Sequence, residues 1–306
     1  MITESAPAKI NLALHVRRRR ADGYHDIETL FGFCADGDEV RVGLAEQNSF
    51  TITGPFASEL RHSHPSTLRV SPSPVGRGKG PAAAGGGKGE GDGWSSDNLV
   101  TRAADAFTAA FGITNPHAIT LDKRLPVASG IGGGSADAAA TLRALARLHN
   151  ISRNDLRVAP VAASLGADVP ACLDGRTTLG TGRGDKLEAL GGLAGLPVLL
   201  VNPNFAVSTA AVFARWDGVD RGPIGEGELL ERARAGRNDL EPPARALAPV
   251  IADVRALLDS SPGAILSRMS GSGATCFALF DTARARNDAA EQAAARGWWT
   301  LPTALT

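Results

Sequence analysis

Between Pro126 and Ala140 the chain reads PVASGIGGGSADAAA, with glycines at 130, 132, 133 and 134 and a serine at 135 directly ahead of an alanine-rich helical pattern. Glycine admits backbone conformations closed to residues with a Cβ and lets the main chain approach a ligand closely. The first N–H groups of a helix have no partner inside it and lie at the positive end of its dipole. Such a junction suits a phosphate group, for instance the tail of ATP, held largely by main chain. No lysine precedes Ser135 as a Walker A loop requires, and Ser135 stands where a dinucleotide fingerprint wants glycine. That leaves a third kind of phosphate loop or, taken without context, a plain tight turn.

A second glycine-serine run, MSGSG at 269–273, leads straight into an alternating stretch, Thr275, Phe277 and Leu279 against Cys276, Ala278 and Phe280. It reads equally as a wall of a site or as a tight strand entry. Asp168, between Gly166 and Pro170, would by itself be a turn or helix-capping aspartate, and Lys9 a solvent-facing strand lysine.

These residues need elements to hold them. Residues 8–16, AKINLALHV, alternate as a strand, with Ile10, Leu12, Leu14 and Val16 opposite Asn11 and Ala13. Residues 27–33, 38–44 and 50–53 read as three further strands, and 119–121 as another. Asp97 is expected to cap a helix over 98–111, and Ser152 with Asp155 resembles a capping box. Leu142, Leu145 and His149 share a face with Ala138 in the helix after the glycine loop, and Asn150 marks its stop. Pro160 implies a kink or a fresh start, because an interior proline costs about 3 kcal/mol relative to alanine. Short strands are expected at 177–180 and 198–201, helices at 226–234, 249–258 and 282–296. From about 62 to 93 the chain is crowded with Gly, Pro and Ser and poor in apolar residues, which predicts a flexible surface insertion.

The 306 residues carry 32 basic and 32 acidic side chains, a balance that argues against a dedicated nucleic-acid binder or a polybasic membrane protein. No apolar run approaches the ~18–20 residues of a membrane-spanning helix, and the first residues lack the pattern of a signal peptide. Cys34, Cys172 and Cys276 are odd in number and far apart, and none has a metal-ligand spacing with the six histidines. A cytoplasmic enzyme with reduced thiols and no structural zinc is expected.

Five segments, PAKINLALHV, RRADGYHDIETLF, PVASGIGGGSADAAATL, LGADVPACL and MSGSGATCFALF, together make the chain resemble the GHMP family of small-molecule kinases almost end to end. Ile131 and Ala136 depart from the leucine and serine usual there, and the 62–93 insertion is foreign to the pattern. The resemblance implies an α+β, two-lobed fold with a cleft between an ATP-binding lobe, 1–178, and a smaller substrate-side lobe, 179–306. It implies ATP-dependent phosphorylation of an alcohol. The AspGlyTyrHis turn and GlyAlaAspValPro narrow this to the branch that phosphorylates the 2-hydroxyl of a CDP-linked methylerythritol. A homoserine or mevalonate type kinase and a non-kinase nucleotide-binding protein are the alternatives.

The same resemblance supplies roles. Asp168 becomes the base that accepts the alcohol's proton, and Lys9 the residue that orients it. Pro126, Val127, Ala128, Ser129, Gly130, Ile131, Gly132, Gly133, Gly134, Ser135 and Ala136 form the ATP loop, with Ser135 beside Mg2+. Asn11, Tyr24, His25, Phe213, Gly271, Ser272 and Gly273 fall to the substrate, Tyr24, His25 and Phe213 around its cytosine. The implied partner is a small molecule, not a membrane or a nucleic acid, and the protein a monomer or homodimer. Arg17–Arg20 and the GRGKG stretch at 76–80 offer the only handle for nucleic acid, and a solvated turn explains the first.

Overall fold

The computed structural model describes residues 1–62, 94–95 and 97–306; the expected insertion lies, from residue 63 on, outside the described residues, as does the 76–80 stretch. Apolar alternation near the start produces two long antiparallel strands, β1 (Ile2–Arg19) and β2 (His25–Leu44), joined by a turn at 20–24. The strands expected separately at 27–33 and 38–44 are one. Gly37 pairs with Pro7 and Phe33 with Lys9, so residues 34–36 form a bulge opposite Ala8 that bends the ribbon without ending either strand.

β2 is long enough to take two partners in succession along one edge. Residues 39–44 pair with β4 (His117–Asp122), and residues 29–31 pair with β5 (Thr178–Thr181). β3 (Ser49–Thr53) lies parallel to β4, and β6 (Lys186–Ala189) closes a hairpin with β5. The described sheet thus runs β3-β4-β2-β5-β6 with β1 on β2, and takes its last two strands from residues 178–189.

Helices cover this sheet: α1 (Ala57–His62), α2 (Leu99–Phe111), α3 (Gly133–Leu148), α4 (Val158–Leu165) and α5 (Val169–Asp174). Asn98, not Asp97, caps α2, its side chain accepting from the Val100 N–H. Ser152 and Asp155 shape a turn instead of a helix start; α4 begins at Val158, so Pro160 falls in its first turn, where the missing N–H is not needed. α3 is buried on most sides because its alanines let it lie close between α2, α5 and the β1–β2 ribbon. Asn150, just past it, takes a positive φ of 55°.

A second sheet, β10-β7-β9-β8, is antiparallel throughout and built from β7 (Pro197–Asn202), β8 (Ala264–Met269), β9 (Cys276–Phe280) and β10 (Trp299–Ala304). Around it lie α6 (Thr209–Ala214), α7 (Leu229–Ala235), α8 (Glu241–Leu247), α9 (Val250–Ser260) and α10 (Ala283–Ala294). β6, β8, β10, α6 and α8 are all short or weakly periodic in sequence, and tertiary pairing creates them.

One core, with Phe31, Phe33, Phe107 and Leu142, lies under the first sheet, and another, with Val201, Ile251, Val254 and Phe280, under the second. A third cluster joins them. Ile10 and Leu12 of β1, Ile131 of the glycine loop, Val198 of β7 and Phe277 of β9 pack together there. The phosphate-loop candidate is therefore anchored by its own isoleucine where the two sheets meet. Among the described residues, no helix is long and apolar enough to cross a membrane. The three cysteines are free and buried, and burial raises all three thiols, Cys172 to about 12.

Candidate active site

Gly132, at φ 67°, stands before α3 and provides no side-chain cap, so Gly133, Gly134 and Ser135 begin the helix with its positive end uncovered. The loop is held from three sides. Ile131 O accepts from the Lys9 N–H at 2.9 Å, Ser129 O from the Thr275 N–H at 3.2 Å, and Gly130 O from the Ser270 hydroxyl at 2.9 Å. The same hydroxyl accepts from the Asn11 N–H at 3.2 Å.

The two glycine loops touch main chain to main chain. A Cβ on Gly130 would stand 2.5 Å from Ser270 O, and one on Gly132 would stand 2.9 Å from Lys9 Cε. Lys9, 3% exposed, extends along the loop and reaches Asp168 Oδ2 at 3.0 Å while donating to Asn11 Oδ1 at 3.0 Å. Asn11 in turn donates to Thr29 Oγ1 at 2.7 Å, and Thr29 to Ala13 O at 2.8 Å. Each member of this chain is fixed by the next. Asp168 alone opens outward, its side chain 36% exposed, at the start of α5 with no capping bond of its own. An accessible carboxylate beside a buried ammonium, next to an uncapped helix N-terminus, can accept a proton from an alcohol while the helix end holds an anion.

Behind the loop lies a buried ionic cluster that sequence reasoning missed. Lys123 Nζ donates to Asp38 Oδ2 at 2.5 Å and to Asp137 Oδ2 at 2.8 Å, and would meet a Gly133 Cβ at 2.9 Å. Asp38 Oδ1 accepts from the Arg124 and Leu125 N–H groups, leaving Asp38 the better hydrogen-bonded carboxylate of the pair. Asp137 Oδ1 is buried without a hydrogen-bond partner among the described residues. Burial, opposed by the Lys123 ammonium and reinforced by Asp38, pushes the Asp137 carboxyl up to about 8.

An unfolded aspartate titrates near ~3.9. Between about pH 4 and pH 8 the folded chain thus keeps a proton that the unfolded chain has lost; this contribution to stability is complete at the acid end and disappears as pH rises through about 8. Asp137→Asn, which cannot titrate, should show a flatter decline of the denaturation midpoint from about pH 5 to about pH 9. Equal declines in wild type and variant would mean that Asp137 is ionised throughout.

The aromatic residues divide into two groups. His25 lies 4.9 Å from the Phe213 ring and 5.6 Å, edge to face, from Trp216. Burial first, then Arg19, lowers the His25 pKa, and its Nε2, like the Trp216 Nε1, is a buried polar atom with no partner among the described residues. Tyr24, the residue before it, is 43% exposed, with the Arg183 guanidinium 5.1 Å over its ring. Thr209 Oγ1, at the start of α6, lies 2.9 Å from Ser272 Oγ, tying the helix that carries Phe213 to the second glycine loop.

The structure thus brings Lys9, Asn11, Asp168, the 126–136 loop and Gly271–Gly273 together, and sets His25 with Phe213, while Tyr24 makes no ring contact with Phe213 among the described residues. Trp216, Ser270, Thr29, Asp38 and Lys123 were not anticipated. Ser270 was within reach, being the first serine of the same SGSG run. Asn238 and Asp239 tie distant segments together: Asn238 Nδ2 donates to Met269 O and Gly271 O, both at 2.8 Å, and Asp239 accepts from the Val16 N–H at 2.8 Å. Arg17 and Arg18 end β1 and Arg20 opens the turn; the run faces solvent, and these three make ion pairs with Glu28, Asp220, Asp26 and Asp22.

Comparison with known proteins shows the family. The model for the GHMP kinases N terminal domain matches residues 98–176, and that for the GHMP kinases C terminal region matches 225–297. The chain is 52% identical over 308 residues to 4-diphosphocytidyl-2-C-methyl-D-erythritol kinase of Rhizorhabdus wittichii, covering 99% of this chain and 94% of the relative. A crystal structure of 4-(cytidine 5'-diphospho)-2C-methyl-D-erythritol kinase superposes with a TM-score of 0.74 at 31% identity, covering 99% of this chain and 98% of the other. Homoserine kinase from Cytophaga hutchinsonii gives a TM-score of 0.66 at 18% identity over 100% of this chain and 94% of its own, a likeness of fold alone.

Proposed function

We propose, on the premise that this chain belongs to the GHMP kinases and within them to the 4-diphosphocytidyl-2-C-methyl-D-erythritol kinases, that it transfers the terminal phosphoryl group of ATP to the 2-hydroxyl of that CDP-linked polyol. The observation that carries this is the Lys9–Asp168 pair, 3.0 Å apart, set against the glycine loop at the uncapped start of α3.

Phosphoryl transfer asks a protein mainly for positioning and charge stabilisation. The N–H groups at 133–135 bind the phosphates of ATP. Asp168 takes the proton from the attacking hydroxyl, and Lys9, held by Asn11, fixes the carboxylate and offsets charge on the group in transfer. The residues also fit a magnesium ion. Mg2+ usually keeps several waters and takes one or two carboxylates together with substrate phosphates; Ser135, in the first turn of α3, would offer it a hydroxyl beside the phosphates, and the remaining ligands would be phosphate oxygens and water. When bound with ATP, the ion would neutralise phosphate charge. Asn238 and Ser270 keep the second glycine loop in register against the first.

His25, Phe213 and Trp216 offer an aromatic box with two unpartnered nitrogens, which supports recognition of a flat heterocycle with a polar edge, and hence the cytidine-linked substrate over homoserine or mevalonate. Phe213→Ala should raise KM for the cytidine-linked substrate about tenfold or more, as loss of base stacking does, with kcat little changed. An unchanged KM would exclude Phe213 from the base subsite.

The function itself is tested by incubating the protein with MgATP and the CDP-linked methylerythritol, following ADP release and locating the new phosphate by phosphorus NMR. Release of ADP with a phosphomonoester at the 2-position is expected, with competition by CMP. Turnover of homoserine or mevalonate without turnover of the cytidine compound would overturn the assignment.

A further inference from the structure

His15 of β1 is 2% exposed, and main chain engages both of its ring nitrogens. The Arg237 N–H lies 3.2 Å from Nε2, and the Gly222 carbonyl oxygen 3.1 Å from Nδ1. A main-chain N–H only donates and a carbonyl only accepts, so these partners fix one neutral tautomer, with the lone pair on Nε2 and the proton on Nδ1. A second proton has to enter at Nε2, where it would face the Arg237 N–H donor to donor. The bond is then lost and the amide left without its acceptor.

The charges around the ring act in both directions. The Arg237 guanidinium, bound to Gly222 O at 3.0 Å and to Asp239 Oδ1 at 2.7 Å, opposes protonation. Asp239, and Glu28 directly opposite His15 on β2, favour it. Both carboxylates are already engaged, Glu28 by Arg17 and the Ile224 N–H, Asp239 by Arg237 and the Val16 N–H. In the loop between α6 and α7, Asp220 pairs with Arg17 and Asp217 with Arg221. Burial first and Arg237 second outweigh the two carboxylates and lower the His15 pKa.

The segment that His15 holds leads to the site. Arg237 O accepts from the Leu14 N–H at 2.8 Å, and Leu14 O from the Asp239 N–H at 2.9 Å, so residues 237–239 lie along β1. Asn238, between them, donates to Met269 O and Gly271 O of the second glycine loop, whose Ser270 hydroxyl in turn holds Gly130 O. His117 and His149, by contrast, bond to each other through Nε2 at 2.8 Å, and His149 stands at the end of α3 opposite the glycine loop.

We propose that His15 is a positioning residue, which in its neutral form alone holds residues 237–239 beneath the second glycine loop and so makes the grip of that loop on the first sensitive to acid. A histidine outside such a setting titrates near ~6.5. Above that pH the loosened and the closed forms are both neutral and the hold is complete; as pH falls below it, through the lowered pKa of the folded chain, the loosened form takes up a proton that the closed form excludes, and the hold is lost. The effect on nucleotide binding rests on the functional reading above; the hold on the loop does not.

Hydrogen–deuterium exchange of the full chain without nucleotide tests the hold, read as protection factors for residues 269–275 at about pH 8 and about pH 5. Wild type should lose protection by about threefold or more across that interval, since each unit of pKa depression carries up to a tenfold effect. His15→Gln, whose side-chain oxygen can accept from the Arg237 N–H and does not titrate, should lose little. Imidazole 15N NMR of wild type should show a ring in the Nδ1–H tautomer that stays neutral below pH ~6.5. Wild type with no such ring, or equal losses of protection in wild type and variant, would overturn the proposal. Affinity for a nonhydrolysable ATP analogue should fall about threefold more in wild type than in His15→Gln over the same interval. Equal falls would overturn the link to nucleotide binding. Exchange as expected with no analogue bound at either pH would overturn the nucleotide reading of the loops and support the hold.

Discussion

Asp168→Asn is expected to lower kcat by about 10²–10⁴-fold, the span over which a positioned general base contributes, with the affinity for ATP close to that of wild type. The two effects separate because of where Asp168 lies. Its carboxylate is the exposed end of a chain of contacts through Lys9, Asn11 and Thr29, whereas the main chain of the glycine loop is held independently by Ser270, Thr275 and the Lys9 N–H. Asparagine has the same shape and can still accept a hydrogen bond from Lys9, so loop and helix keep their positions, but its amide cannot take up the proton of an alcohol. Single-turnover kinetics and nucleotide titration on the same preparation provide the check. Retained turnover would remove Asp168 from the reaction, and loss of nucleotide binding together with turnover would make its role structural.

Gly130→Ala should abolish tight nucleotide binding, raising KM for ATP by about tenfold or more, because the added methyl displaces the loop. Gly130 has φ 78°, and a Cβ would stand 2.5 Å from Ser270 O and 2.8 Å from both Gly273 N and Gly273 O. All three are backbone atoms, and none can swing aside as a flexible side chain would. The methyl group would therefore push the two glycine loops apart and break the Ser270 bridge to Gly130 O. Gly112→Ala is the control. That residue has a similar φ of 65° but nothing within 4 Å of the added atom, and it ends α2 away from the loop. It should cost ~1–2 kcal/mol of stability, the strain of the left-handed conformation, and leave KM unchanged. Equal KM values in both variants would show that contact between the loops is irrelevant to nucleotide binding.

The parts of the site that could be read in the sequence are those whose chemistry is local. A run of glycines before an alanine-rich helix specifies its own conformation, and Gly132 and α3 lie where that pattern puts them. Lys9 and Asn11 share a strand face and so reach one another with no help from distant residues. What remained hidden depends on partners far away in the chain. Asp38 is an ordinary polar residue in a strand until Lys123, 85 positions later, is folded against it. Trp216 acquires a role only when α6 brings it beside His25. The break expected between residues 33 and 38 survives only as a bulge: residues 34–36 of β2 stand opposite the single residue Ala8 of β1, and pairing resumes on both sides. Asp97 lost its capping role to Asn98 by a single position, a distinction that the spacing of apolar residues does not encode. Short strands such as β6, exposed along nearly all its length, carry no periodic signal and exist because β5 offers an edge.

The central claim is that the uncapped start of α3, braced by the second glycine loop, holds the phosphates of ATP within reach of Asp168. A crystal structure with a nonhydrolysable ATP analogue and Mg2+ tests it directly. The phosphates are expected against the main-chain N–H groups of residues 132–135, with the terminal phosphate on the side facing Lys9 and Asp168. A triphosphate bound elsewhere, with that helix end vacant, would contradict the account.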